Sequence, residues 1–139
     1  MVQLIVGDKG KGKTKYILDK VNSEIQNTNG NIVYLDKSTK HMFELNNKVR
    51  LIDVSAYMLD GVDSFLGFIA GIISQDHDLQ QMYFDSFLKI AGIDASGVEE
   101  AVSKLEKLSE AFHVDFILSV SADEQALSAS LKDKIIVSL

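Results

Sequence analysis

The 139-residue chain contains no cysteine, no proline and no tryptophan. Without cysteine, disulfides and thiolate-held metals are excluded. An average chain of this length would hold about seven prolines, and no functional reading attaches to their absence. There is a single arginine, Arg50, so clamps built from several guanidinium groups are excluded as well. No apolar run approaches the roughly 20 residues that a membrane-spanning helix needs. The run Val2 to Val6 is far too short for the apolar centre of a signal sequence. The sequence therefore predicts a cytoplasmic protein with no membrane partner. Basic residues number 14 against 20 acidic ones, a formal net charge of −6. Nucleic acid is not an expected partner, because non-specific binding to it needs a basic surface. What remains is 46% apolar and 24% charged, ordinary for a globular core. With no linker-like composition and no internal repeat, the length suits one domain over residues 1–139.

The informative stretch is Val2 to Thr14. Val2 to Val6 is an apolar, β-branched run that reads as a buried strand. It stops at Gly7 and is followed by G-x-x-x-x-G-K-T: Gly7, four residues, Gly12, Lys13 and Thr14. Ile17, Val21 and Ile25 then recur four apart, as on one face of a helix running from about Lys13 to Asn27. Strand, glycine loop and helix in that order are the context that a phosphate-binding loop needs. Gly7, Gly10 and Gly12 let the backbone turn tightly, and the amides of Asp8, Lys9, Lys11 and Lys13 add donors to a concave set. The helix N-terminus adds its dipole. Lys13 would reach the β- and γ-phosphates, and the Thr14 hydroxyl would bind Mg²⁺. Lys9, Lys11, Lys13 and Lys15 crowd the loop and read as a positive funnel for a polyphosphate. Average composition produces this pattern by accident in roughly 0.5% of chains this long.

Beyond the helix, Asn29-Gly30-Asn31 reads as a turn and Asn31 to Leu35 as a second strand ending at Asp36. Ser38 is an expected N-cap for a short helix through about Leu45. Val49 to Val54 reads as a strand near a sheet edge, because of its charges. A helix from about Val62 to Ser74 is apolar nearly all round and predicts burial on more than one side. Gly67 and Gly71 on it would allow close packing, against the sheet or against a second copy of the chain. Leu79 to Leu88 fits either a strand or a helix face. The strand reading, with Met82-Tyr83-Phe84 ending at Asp85, suits an alternating chain better. Ser96-Gly97-Val98-Glu99 matches a capping box for a helix to Phe112. Phe116 to Val120 reads as a buried strand. Ser121-Ala122-Asp123-Glu124 is a second capping box, opening a short helix through about Leu131. Ile135-Ile136-Val137 lies in a last strand. Alternating strands and helices predict an α/β fold, a mainly parallel sheet of five to six strands with helices on both faces.

The loop resembles the Walker A motif of the P-loop NTPases, at all four fixed positions. Met82-Tyr83-Phe84-Asp85 looks like a loose Walker B motif, which makes Asp85 the second metal-holding acid alongside Thr14; Asp36 is the rival. In many ATPases of the additional-strand type a glutamate follows that acid and polarises water, whereas this chain has Ser86. Phe116 to Ser121 resembles the strand carrying a polar γ-phosphate sensor, with Ser119 and Ser121 as the polar residues. The likeness is best to small, stand-alone bacterial ATPases with a RecA-like core. It implies a three-layer P-loop fold with the first strand between the final strand and the sensor strand, and the Asp85 strand beyond. It implies ATP and Mg²⁺ as ligands, with Lys13 and Asp85 as catalytic residues.

Other classes fit less well. A GTPase would carry N-K-x-D, and the nearest string, Asn47-Lys48-Val49-Arg50, ends wrongly. Asp94-Ala95-Ser96-Gly97 matches D-x-x-G at only two fixed residues. A small-molecule kinase usually clamps phosphates with several arginines. His41, His77 and His113 have no metal-ligand spacing and read as surface or satisfied residues. Arg50 reads as a surface charge. The expectation is therefore Mg²⁺-dependent ATP binding with slow hydrolysis. A non-hydrolysing nucleotide switch is the alternative, and a homo-oligomer or a protein partner remains open.

Overall fold

A computed structural model describes all residues from Met1 to Leu139. Eleven regular elements follow one another: β1 (Val2–Val6), α1 (Lys13–Glu24), β2 (Asn31–Asp36), β3 (Arg50–Asp53), α2 (Val62–Gln75), β4 (Leu79–Phe84), α3 (Phe87–Ala91), α4 (Val98–Phe112), β5 (Asp115–Val120), α5 (Ala129–Lys132) and β6 (Ile135–Ser138). The strands form one six-stranded sheet in the order β3-β2-β4-β5-β1-β6. Every neighbouring pair is parallel. No helix is long and apolar enough to cross a membrane.

Period-two alternation along the strands divides the interior in two. Val2, Leu4, Val33, Leu35, Met82, Phe84, Phe116 and Leu118 belong to a 26-residue core that includes residues of α2, α3, α4 and α5. Ile5, Ile32, Tyr34, Tyr83 and Ile117 belong to an 11-residue core under α1, closed by Leu45 and Val49. Three layers result, helices on both faces of the sheet. The same parity puts Asp36 on the side of Ile32 and Tyr34, and Asp85 on the side of Tyr83. Both acids therefore face the α1 layer.

Several local expectations change. Leu79 to Phe84 is the strand that suits an alternating chain, and Phe87–Ala91 is a short helix with no counterpart in the sequence reading, ended by Gly92 at φ +69°. Phe87 is drawn inward by stacking on Phe84, ring centroids 5.9 Å apart. Helix α2 buries one face only, through Phe65, Ile69 and Ile73. Gly67 and Gly71 are exposed, and a Cβ on either would meet nothing within 4 Å, so neither serves close packing within the chain. Neither capping box forms. Asp94 accepts the Ser96 amide and Asp123 accepts the Gln125 amide, each bond opening a single 3₁₀ turn instead. Each aspartate closes a local side-chain turn onto the amide two residues on, and no side chain caps α4. Ser38 likewise caps no helix: its hydroxyl accepts the Lys40 amide, and the helical segment between Ser38 and Leu45 is the short 3₁₀ stretch Met42–Glu44. Strand β3 is indeed at the sheet edge, and Arg50 on it is exposed.

Glu106 of α4 joins three elements, accepting from the Val2 amide at 3.1 Å and the Lys134 ammonium at 2.6 Å. Its burial would raise the carboxyl pKa, but the Lys134 hydrogen bond, the Val2 amide and the Lys134 charge together hold it below the usual range. A depressed folded pKa stabilises above the unfolded value of 4.5 and is lost as pH falls through the folded value. Glu106→Gln should therefore cost about 1 kcal/mol at pH 7. The difference from the native chain should close in denaturant melts below about pH 4.

Candidate functional site

The sheet order brings the C-terminal ends of β1, β2, β4 and β5 to one rim. A cleft of about 450 Å³ opens there. Its wall includes Lys9, Gly10, Gly12, Lys13 and Thr14 from the glycine loop, Asp36 after β2, Asp85 and Ser86 after β4, and Ser119 and Ser121 from β5 and its exit. Lys37, Lys40 and Lys89 join Lys9 and Lys13, so five lysines border the cleft of a net acidic chain. Lys11 is exposed and outside this wall. Lys15 turns along α1 to Asp19 at 3.2 Å and does not belong to the funnel.

The loop's shape follows from its glycines. Gly7 has φ +153°, and a Cβ there would stand 3.0 Å from the Leu139 carbonyl oxygen. Gly12 holds φ +92° at the start of α1, where the left-handed conformation strains any other residue. The turn folds the loop back over Lys13, which is only 6% exposed. Its ammonium donates to the carbonyls of Gly7 at 2.8 Å and Asp8 at 3.0 Å. Burial lowers its pKa, against the opposing pull of Asp85 and Asp8.

Asp85 is 2% exposed and tightly held. Its amide donates to the Leu35 carbonyl at 2.9 Å, extending the ladder between β4 and β2. The Thr14 hydroxyl donates to its Oδ1 at 3.3 Å, and the Tyr34 phenol to its Oδ2 at 2.8 Å. Burial, and then the charge and hydrogen bond of Asp85, push the Tyr34 phenol far above its ordinary pKa. Asp36, also 2% exposed, accepts the Lys37 amide on Oδ1 at 2.7 Å, while Oδ2 is buried without a partner. Burial and the nearby Asp85 charge raise its pKa, outweighing the Lys37 amide, His41 and the Lys37 charge. His41 belongs to this group too, with Nδ1 buried and no hydrogen bond.

Of the residues singled out from sequence, Lys13, Thr14 and Asp85 are brought together, with Asp36 beside them rather than in place of Asp85. Gly7 and Asp8 meet Lys13 through their carbonyls. Tyr34 and His41 were not expected in the site. The signal for Tyr34 was present: it stands two residues before Asp36, on the same strand face. His41 lies in an irregular segment with no periodicity to place it.

Topology defines the class of fold first. Strand β1 lies between β5 and β6, with β4 beyond β5, the arrangement implied by the RecA-like resemblance. No family model matches the chain, and no curated protein matches it in sequence. Among solved structures it is similar to the flagellar accessory protein FlaH from Methanocaldococcus jannaschii, with TM-score 0.57 and 16% sequence identity. The match covers 93% of this chain and 63% of FlaH, less than two thirds of that protein's length. At that identity the likeness is one of fold.

Two substitutions test these contacts. Tyr34→Phe removes a donor from a buried carboxylate and should cost roughly 1–3 kcal/mol in denaturant melts. Asp36→Asn removes an unpartnered buried charge beside Asp85 and should instead raise Tm, by roughly 3 °C, in protein freed of ligands.

Proposed function

We propose that the cleft binds a nucleoside triphosphate with Mg²⁺, ATP by the family resemblance, and that the chain hydrolyses it slowly. One observation carries the reading: Thr14 Oγ1 and Asp85 Oδ1 stand 3.3 Å apart directly beside Lys13. A hydroxyl and a carboxylate at the head of a helix, next to a glycine loop, suit a hard cation that takes oxygen ligands. Thr14 and Asp85 would hold Mg²⁺ there, and its charge would offset that of the phosphate oxygens. Lys13 is held by two carbonyls that a phosphate oxygen can replace. Lys9, Lys37, Lys40 and Lys89 supply the positive field that several arginines supply elsewhere, as point charges. Ser119, 1% exposed on β5, is placed to donate to a terminal phosphate.

Hydrolysis also needs a group that accepts a proton from water. The position after Asp85 is Ser86, held at φ +57°, and a serine is no such base. Asp36 supplies the function in this reading: Oδ2 has no competing donor, and its raised pKa makes it more basic than a surface aspartate. Water adds to the terminal phosphorus, its proton passes to Asp36, and the diphosphate leaves. Ser86 is also the observation that favours the second reading, a nucleotide-binding switch without turnover.

Phosphate release and calorimetry with Mg²⁺ and ATP separate the two. Lys13→Ala should weaken ATP binding about 100-fold or more. Asp36→Asn should slow turnover by about 10²-fold while ATP affinity stays within roughly threefold. Saturable binding with no release in the native chain would favour the switch. Loss of Mg²⁺ dependence in Asp36→Asn but not in Asp85→Asn would overturn the metal assignment.

A further inference from the structure

The pairing of Thr14 with Asp85 uses neither His41 nor the inward oxygen of Asp36. Asp36, His41 and Asp85 each offer a ligand atom, and the three atoms lie within 4.8 Å of one another. Around one ion with bonds of about 2.1 Å, ligand atoms stand roughly 3 to 4.2 Å apart. Atoms at the 4.8 Å limit would have to close by about 0.6 to 1.8 Å to match. Two features show that this is more than an acidic patch. Asp36 Oδ2 is buried with no donor to satisfy it, in a residue 2% exposed. The third member is an imidazole whose Nδ1 is likewise buried and unbonded, with the Glu44 carboxylate 3.4 Å away. Native proteins rarely leave such groups without partners.

The imidazole decides the ion. Mg²⁺ takes oxygen ligands and keeps much of its water, whereas first-row transition ions from Mn²⁺ to Zn²⁺ accept imidazole nitrogen readily. Two carboxylates and one imidazole leave coordination positions open toward the cleft. The Lys13 ammonium, beside Asp85, is engaged by the Gly7 and Asp8 carbonyls, and the Lys37 charge acts on Asp36. The Lys37 amide occupies Asp36 Oδ1 and leaves Oδ2 available. The Tyr34 phenol fixes Asp85 while each of its oxygens keeps a lone pair.

We propose that Asp36, His41 and Asp85 form a binding site for one divalent first-row transition-metal ion, filled in the absence of nucleotide. The site does not depend on the nucleotide reading, although it shares Asp36 and Asp85 with it. If both hold, the ion occupies the carboxylates that hydrolysis requires, and its binding switches turnover off.

Co²⁺ is the probe, added to the nucleotide-free full chain and followed by visible absorption, calorimetry and proton NMR. One equivalent should bind, with the His41 ring signals broadened and those of His77 and His113 retained. His41→Ala and Asp36→Asn should each weaken Co²⁺ binding at least tenfold. Equal affinity in His41→Ala, or broadening at His77 or His113 instead, would overturn the proposal. If a variant fails to fold, the broadening pattern of the native chain decides. ATP binding is measured separately on the native chain: Co²⁺ uptake without ATP uptake sinks the nucleotide reading alone, and the converse sinks this one alone.

Discussion

Asp85 is held at its backbone amide and at both carboxylate oxygens by two elements far apart in the chain, β2 and the head of α1. Its amide extends the ladder to Leu35, Thr14 donates from the head of α1, and Tyr34 donates from β2. Two of the contacts tie the end of β4 to β2 and the third ties it to α1, so all three form together only when β4 lies beside β2 with α1 above them. A buried carboxylate without such donors would be costly. The rim of the sheet is thus organised about one negative group. The neighbouring stack of Phe84 and Phe87 below it gives the strand end a rigid seat.

Around this point the molecule collects groups that are uncomfortable in isolation. Lys13 is almost fully buried, Asp36 has an orphaned oxygen, and His41 has an orphaned nitrogen. Ser119 lines the same cleft, and the buried polar residue outside it is Ser109. Unsatisfied polar atoms concentrated in one cleft are a reservoir that a charged ligand can relieve, which is why the proposals centre there.

Sequence reasoning succeeded where the signal is local. The glycine loop, with its flanking strand and helix, is written within thirteen consecutive residues, and each glycine's role is set by its own backbone. The parallel α/β class was legible from alternation, and Asp85 from an apolar run that ends in an acid. Failures came where competition decides. Ser96 and Ser121 looked like caps, but 3₁₀ turns opened by Asp94 and Asp123 stand there instead. The apolar wrap of α2 predicted deep burial, whereas Val62, Leu66, Phe68 and Ile72 pack only at the margin of the core. Tyr34 and His41 entered the site through pairings across the sheet and the course of an irregular segment, neither of which has a local signature.

The place of β1 in the sheet bears on how the chain reaches this state. Its partners are β5 and β6, with Val2 beside Phe116 and Leu4 beside Ile135. No nearer segment can complete its ladder. Loop closure over such a separation is paid for before any contact rewards it, so non-local parallel pairings form late and slowly. Strands β2, β3 and β4 can assemble among themselves well before β1 docks. Gly7 meets Leu139 only when β1 and β6 lie side by side, so the cleft can become competent only once both ends of the chain are in the sheet.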